Sequence, residues 1–495
     1  MSRIDNDLLS VQEARILVEN AREAQKELAA FPQEKLDKII GQMAKATSKY
    51  AKELAIMSHE ETGYGKWQDK LVKNIFASDY IYQKIKDMKV IGIIGEDKAN
   101  KTIDIGVPVG VIVALPPSTS PVSTTIYKAL IAIKSGNAIV FSPHPKARKV
   151  ITKVLDILIG AAEECGLPSG AIGCLSTLAV EGTVTMMSHQ DTSLILITGV
   201  PKMVSAARTS GKPVIYSGPG NGPAFIERSA NIKKAVADII ASRTFDNGIV
   251  SASEQSVVAE ECIADEVKEE LRRSGAYFMS PQESEQLSKL FYCADGSMNP
   301  EIVGRPAVEL AKRIGASVPE ETKILISEQK NVFASNPYAR EKLCPVLAFY
   351  IEKDWMHACE KCIELLVNEG RGHTLVIHSQ NENVIREFAL KKPVSRILVN
   401  TPATLGGIGA TTNLFPALTL GSGAAGGGIT SDNVSPMNLI NIRKVGYGVR
   451  QLEDITRGIK GGQTPETIYP SASYRSIDSI QDLHEFLNRL LKELA

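Results

Sequence analysis

Neither sign of charge is in excess in this chain of 495 residues, where 56 lysines and arginines face 56 aspartates and glutamates. A surface evolved for nucleic acid or an anionic membrane carries a basic surplus, so neither is expected as a partner. Long apolar runs are also missing. No stretch reaches the ~18 uninterrupted apolar residues of a membrane span. The start, Met1-Ser2-Arg3-Ile4-Asp5-Asn6-Asp7, has no basic region followed by an apolar one, so the protein is expected in the cytoplasm. Metal-ligating residues are few and scattered. The cysteines (Cys165, Cys174, Cys262, Cys293, Cys344, Cys359, Cys362) form an odd set without metal-site spacing, and the i,i+3 pair Cys359/Cys362 has no second pair. They read as reduced, mostly buried thiols, and with the histidines dispersed no zinc site, or any other metal, is expected.

What is present is an ordinary globular composition, 43% hydrophobic and 23% charged. The length suggests about three domains of roughly 150 residues, or two large lobes with an accessory segment. Ser10-Val11-Gln12-Glu13 has the pattern of a capping box, which predicts a helix from there to about Ala30. Between Val107 and Tyr216 short apolar runs alternate with amphipathic stretches. The runs 110–115, 138–141, 193–197 and 213–216 read as buried parallel strands, with helices near 122–134, 147–165, 179–189 and 201–210. This alternation predicts a doubly wound α/β sheet, which binds nucleotides at the carboxyl ends of its strands.

A second alternation begins near Ala224 and includes the runs 346–351, 374–377 and 396–400, implying a second α/β lobe. From Thr401 to Thr430 glycine, alanine and threonine dominate, as in a tightly packed loop near a site. Gly461-Gly462-Gln463-Thr464-Pro465 and Pro470-Ser471 read as a linker. After it Ile477, Ile480, Leu483, Phe486, Leu487, Leu490, Leu491 and Leu494 fall at helical spacing, predicting an amphipathic helix. Such a helix docks on its own or a neighbouring subunit, or recruits the chain to a larger assembly such as a microcompartment shell.

The most informative segment is Phe245-Asp246-Asn247-Gly248-Ile249-Val250-Ser251-Ala252-Ser253-Glu254-Gln255. It resembles the nucleophile motif of CoA-acylating aldehyde dehydrogenases, in which a cysteine stands where this chain has Ser251. Further segments resemble the same family in the same order. Leu115-Pro116-Pro117-Ser118-Thr119-Ser120-Pro121 and Phe141-Ser142-Pro143-His144-Pro145-Lys146 are similar to its substrate and nucleotide loops. Glu341-Lys342-Leu343-Cys344-Pro345-Val346 is similar to the loop whose glutamate holds the nicotinamide ribose. Glu369-Gly370-Arg371-Gly372-His373-Thr374 and Asn400-Thr401-Pro402-Ala403 extend the resemblance over roughly residues 10–450.

The resemblance implies a short aldehyde oxidised with NAD or NADP and coenzyme A, through a covalent thioester, to an acyl-CoA. That chemistry needs a nucleophile, an oxyanion hole and an aligned cofactor. It places the nucleophile at Ser251 and the oxyanion donors at a backbone N–H near residue 251 and the side chain of Thr119 or Ser120, with His373 orienting substrate. Pro116, Ser142, His144, Pro145, Thr198, Gly199, Gly218, Glu341 and Leu343 are implied around the cofactor, and Asn247 and Arg371 around the substrate. An arginine at 371 suits an anionic aldehyde, or lies solvated on the surface.

Three departures from the family pattern matter. Ser217 occupies the place of the general-base glutamate of hydrolytic relatives, which favours coenzyme A over water as acyl acceptor. Val200 and Lys202 stand where relatives carry glycine in the nucleotide turn, and Lys202 is free to pair with a phosphate. Ser251 replaces a thiol that titrates near pH ~8.5 unperturbed, and a serine hydroxyl offers no comparable anion. None of the seven cysteines is expected to replace it, Cys344 being expected to face the nicotinamide region. The serine reads as an engineered Cys-to-Ser change that cripples turnover; alternatives are a natural non-catalytic binding or assembly subunit, and an acyl-phosphate reductase of the same fold.

The expected architecture is therefore the aldehyde dehydrogenase fold. Residues 1–216 form a Rossmann-like nucleotide domain and 217–400 the catalytic domain. Residues 401–450 form a return segment and an oligomerisation strand, implying a homodimer or homotetramer, and 451–495 the linker and terminal helix.

Overall fold

A strand buried on both faces has no polar side to display, so unbroken apolar runs become the inner strands of parallel sheets. The structure, a computed structural model, describes residues 5–456. Its strands are β1 (Gly92–Asp97), β2 (Thr102–Pro108), β3 (Val111–Leu115), β4 (Ala138–Phe141), β5 (Ile172–Cys174), β6 (Thr192–Thr198), β7 (Val214–Ser217) and β8 (Pro223–Ile226). There follow β9 (Ser256–Glu260), β10 (Ala276–Phe278), β11 (Ile324–Glu328), β12 (Val346–Glu352), β13 (Thr374–His378), β14 (Arg396–Val399) and β15 (Ile440–Gly446).

The first large sheet has the order β5-β4-β3-β6-β7, parallel throughout. Every residue of β3 is buried, and its neighbours β4 and β6 lie on opposite sides of it in space and in connection, so the strand order reverses between β3 and β6. That reversal opens a crevice at the carboxyl ends of the two strands. Both faces are covered. Helix Pro121–Lys134, buried along its whole length, packs Ile126 and Leu130 with Ile112, Phe141 and the N-terminal residues Leu36, Ile40 and Met43. On the other face Ala14, Val18 and Ala21 of helix Asn6–Leu28 join Val113, Val140 and Met186. Each large aliphatic side chain so buried contributes about 1.5–3 kcal/mol.

That first helix starts earlier than its sequence pattern predicts. Asp5 is the N-cap, its carboxylate accepting from the Asp7 amide. Ser10 and Glu13, which mimic a capping box, are spent elsewhere: Ser10 Oγ donates to the Thr177 carbonyl, and the Glu13 carboxylate accepts from the amides of Ser176 and Thr177. Tertiary hydrogen bonds to the loop after β5 took the side chains that local capping would have used.

The second large sheet runs β10-β11-β12-β9-β8-β13-β14, again all parallel. One face packs Phe225, Val258 and Tyr350 against Cys359, Cys362 and Leu366 of helix Trp355–Asn368. The other packs Val257, Ile326 and Phe349 against Val236 and Ile239 of helix Ile232–Thr244. Only Cys344, Cys359 and Cys362 are buried, with Cys165 and Cys174 half-buried and Cys262 and Cys293 exposed, so the thiols are less uniformly interior than expected.

Both sheets belong to one compact unit, residues 5–94 with 105–443; a second takes in residues 95–104 and 444–456. β1, β2 and β15 pair in the order β1-β2-β15. Within the second unit Lys444 Nζ bridges both carboxylate oxygens of Asp104 at 2.7 Å. Among the described residues no helix is long and apolar enough to cross a membrane. The linker expected at 461–471 and the helix expected at 477–494 lie outside the described residues.

Candidate active site

Helix Ile232–Thr244 ends where the chain passes through three consecutive left-handed residues, Asp246 (φ 48°), Asn247 (φ 53°) and Gly248 (φ 74°). Aspartate and asparagine tolerate that region better than most side-chain-bearing residues, and glycine freely, which is why this loop is built from Asp-Asn-Gly. Each is then fixed. Asn247 Nδ2 donates to the Gly304 carbonyl at 2.8 Å. Arg243, fully buried, donates through Nη1 to Ser253 Oγ at 2.7 Å and through Nη2 to Gln255 Oε1 at 3.1 Å and the Lys342 carbonyl. Gln255 Oε1 also accepts from the Lys342 amide at 2.8 Å, tying the Ser251 loop to the loop of Glu341. Glu254 is fully buried, accepts from the Ala403 amide at 2.9 Å, and is pushed up to about 7 by burial. Ser251 emerges from this frame half-buried.

Two glycines press on it. A Cβ on Gly220 would stand 1.6 Å from the Ser251 carbonyl oxygen, and one on Gly407 would stand 2.9 Å from the Cβ of Ala252. The loop between β7 and β8 can approach the nucleophile loop because it carries no side chain there. The Gly220 amide donates to Glu341 Oε1 at 2.9 Å. Burial, with Glu369 nearby, pushes the Glu341 carboxyl up to about 8; its own amide is held by Glu369, which also pairs with Arg340 at 3.2 Å. His373 is fully buried with neither ring nitrogen hydrogen-bonded, and burial together with Arg396 drives it down to about 3.

On the crevice side, Thr119 and Ser120 are half-buried just beyond β3. Lys73 Nζ contacts Ser120 Oγ at 2.7 Å, and Lys70 Nζ contacts the Thr119 carbonyl at 3.1 Å. Both lysines bind the fully buried Asp246, at 2.5 and 3.2 Å. A third lysine, Lys128, is fully buried and bonds only carbonyls, those of Leu115 and Leu196, each at 2.9 Å. It joins the carboxyl ends of β3 and β6, and burial without a counter-charge lowers it well below the ordinary lysine range.

The residues expected around the cofactor surround the same crevice in part. Pro116 is buried at the end of β3 and Gly218 just past β7, its amide donating to Ser422 Oγ. Thr198 Oγ1 pairs with Thr419 Oγ1 at 2.7 Å, and Gly199 turns with φ 65°. Val200 follows at φ 53°, a β-branched residue in a conformation that suits glycine. Lys202 is exposed and pairs with Asp295 at 3.1 Å. Ser142 is buried with its hydroxyl paired to Thr183; His144 accepts from the Lys146 amide and is lowered by burial and by Lys146, while Pro145 is exposed. Leu343 is half-buried against Ile249 and Val303.

Arg371 is exposed and makes no side-chain hydrogen bond or ion pair among the described residues. One expectation needs amending. Cys344 does not face a cleft: it is fully buried in the apolar cluster beneath β12, and burial raises its thiol to about 11. The sequence reading missed Lys70, Lys73, Lys128 and Arg243, because charged residues on helices read as solvated faces. Only Lys128 gave a signal, as a charge in mid-helix with the next one, Lys134, at the helix end.

The aldehyde dehydrogenase family model matches residues 7–279. The chain belongs to that family and has its fold, with the two parallel sheets meeting at the crevice just described. It is similar to a solved structure of a probable aldehyde dehydrogenase from Listeria monocytogenes, at 54% identity and TM-score 0.89, over 91% of this chain and 100% of that one. An acetylating aldehyde dehydrogenase from Geobacillus thermoglucosidasius is 46% identical with TM-score 0.88, over 90% of this chain and 99% of the other. The bifunctional aldehyde-alcohol dehydrogenase of Escherichia coli K12 is 44% identical over 441 residues, 88% of this chain and 49% of that protein. The chain thus spans about half the length of the aldehyde-alcohol dehydrogenase relatives it matches.

Proposed function

We propose that this chain carries the site of a CoA-acylating aldehyde dehydrogenase for a short aldehyde, and that with serine at position 251 it binds its ligands without completing the reaction. The observation that carries this reading is the pairing of walls at Ser251. On one side is a loop braced by Arg243, Asn247, Glu254 and Gln255 around residue 251. On the other is the Gly220 approach, preceded by the buried Ser217 where water activation would require a carboxylate. With a thiolate at 251, attack on an aldehyde would give a tetrahedral adduct, hydride transfer to a bound nicotinamide would leave a thioester, and with Ser217 in place of the water-activating glutamate the acyl group would pass to the thiol of coenzyme A.

The residues present suit a nicotinamide dinucleotide. The crevice lies at the reversal of strand order, and Glu341 is anchored by one oxygen while its other remains available to a ribose diol. Such a cofactor, when bound, supplies the hydride acceptor. Serine fails in this setting because its hydroxyl is far less acidic than a thiol and no side chain among the described residues accepts a hydrogen bond from it. His373 makes no hydrogen bond through either nitrogen, and a histidine held near 3 is a poor proton acceptor at neutrality. The uncovered Ile442 of β15 supports a homodimer or homotetramer.

The test is nicotinamide reduction with short aldehydes, with and without coenzyme A, by the Ser251 chain and by Ser251→Cys. CoA-dependent turnover by the cysteine form alone is expected. No turnover with any short aldehyde, neutral or anionic, defeats the acylating reading; enzyme-like turnover by the Ser251 chain defeats the account of Ser251.

A further inference from the structure

The sequence offers Thr119 or Ser120 as the side chain completing the oxyanion hole, and the lysines beneath them distinguish the two. Lys73 Nζ carries three donors and no acceptor. They meet three acceptors: Asp246 Oδ2 at 2.5 Å, Ser120 Oγ at 2.7 Å and, at the limit of reach, the Thr119 carbonyl at 3.5 Å. In the contact with Ser120 the serine must therefore accept. Its single hydroxyl proton is turned away from the lysine, and no acceptor among the described residues takes it. Ser120 is half-buried at the carboxyl end of β3, one residue before helix Pro121–Lys134, where the chain opens into the crevice.

Thr119 is held differently. Its carbonyl is fixed by Lys70 and Lys73, but nothing among the described residues orients its hydroxyl. The anchor for both lysines is Asp246, five residues before Ser251. Its second oxygen accepts from the Lys66 amide at 2.7 Å, and its own amide donates to Asp69 at 2.8 Å. A Cβ on Gly65 would stand 1.8 Å from that second oxygen, so the backbone closes directly over the carboxylate. Burial would raise the Asp246 carboxyl, yet Lys73 and Lys70 hold it below its ordinary range; burial lowers Lys70 to about 8 despite Asp246. One buried carboxylate thus joins the nucleophile loop to the loop of residues 118–120.

Resting on the acylating reading, we infer that Ser120 is the hydroxyl that donates to the developing oxyanion, and that Lys73, clamped by Asp246, is the positioning residue that aims its proton. A donor whose oxygen is already bonded to an ammonium is also the stronger donor.

The test is a double-mutant cycle in the Ser251→Cys protein, with CoA-dependent aldehyde oxidation as readout. Ser120→Ala and Lys73→Met are each expected to lower kcat about 100-fold, the cost of one oxyanion donor. KM for cofactor and coenzyme A should stay within about twofold. The double variant should be no worse than the poorer single one, because the lysine acts through the serine. Lys73→Arg, which keeps a charged donor, should restore most of the loss, and Thr119→Val should cost less than Ser120→Ala. Losses that multiply to about 10,000-fold overturn the inference. So does a Thr119→Val loss equal to that of Ser120→Ala, a comparison that stands even if Lys73→Met does not fold. An inactive Ser251→Cys parent overturns the acylating reading and this inference with it; an active parent with multiplying losses overturns this inference alone.

Discussion

Between residues 243 and 255 nearly every polar side chain is spent on fixing backbone, whereas between 198 and 203 almost none is. Arg243, Asp246, Asn247, Glu254 and Gln255 are buried and bonded, and together they set the carbonyl of residue 251 against Gly220. The turn after β6 has an exposed ion pair, Lys202 with Asp295, and a valine in a left-handed conformation. The contrast follows from what each loop has to do. Attack on a carbonyl tolerates little displacement, and a 1 Å error costs about 100-fold in rate. A turn that would present backbone to a diffuse charge can accommodate a valine and a lysine.

The comparison can be pressed by substitution, beginning with the largest effect. Gly220→Ala in the Ser251→Cys protein should lower kcat about 100-fold or more, because the new Cβ meets backbone that cannot move aside; a change within threefold would mean that the nucleophile loop is softer than its hydrogen bonds imply. Glu254→Gln probes the same loop through pH. The folded-state carboxyl titrates at about 7, above the ordinary value of 4.5. Its contribution to stability is therefore full below pH 4.5 and lost as the pH rises through 7. The glutamine protein should melt above the native one at pH 8 and show little difference at pH 4.5; a difference of the same size at both values removes titration as the cause.

Effects should be smaller on the nucleotide side. Val200→Gly relieves a left-handed β-branched residue at the expense of a more flexible unfolded chain, for a net gain of up to about 1 kcal/mol in denaturant unfolding. A loss of that size would show that the valine is favourably packed. Lys202→Ala removes an exposed pair and should leave the melting temperature within about 1 °C. A larger drop would make that pair a structural tie and weaken the contrast between the two loops.

How far the sequence reveals this arrangement depends on the kind of signal. β3, β4, β6, β12 and β13 are legible because burial on both faces leaves unbroken apolar runs such as 111–115 and 346–350. β1 and β2 are not, since their residues are exposed or half-buried and carry neither an apolar run nor a clean alternation. The Ser251 motif is legible by its length. Its support is hidden, because Lys70 and Lys73 reach Asp246 across more than 170 residues and Arg243 becomes buried only where β9, β12 and the Glu341 loop meet. Ser10 and Glu13 show the converse: the local pattern was present, and a tertiary contact claimed it.

The central claim is that residue 251 is the one part this site lacks for thioester chemistry. It is tested most directly by exposing the native chain and Ser251→Cys to acetyl-CoA and mapping the acetyl group by peptide mass spectrometry. The account predicts one acetyl group on the peptide containing residue 251 of the cysteine form, removed by added free coenzyme A, and none on that peptide of the native chain. Acylation of the native serine at a comparable rate, or a cysteine form that stays unmodified, would contradict it.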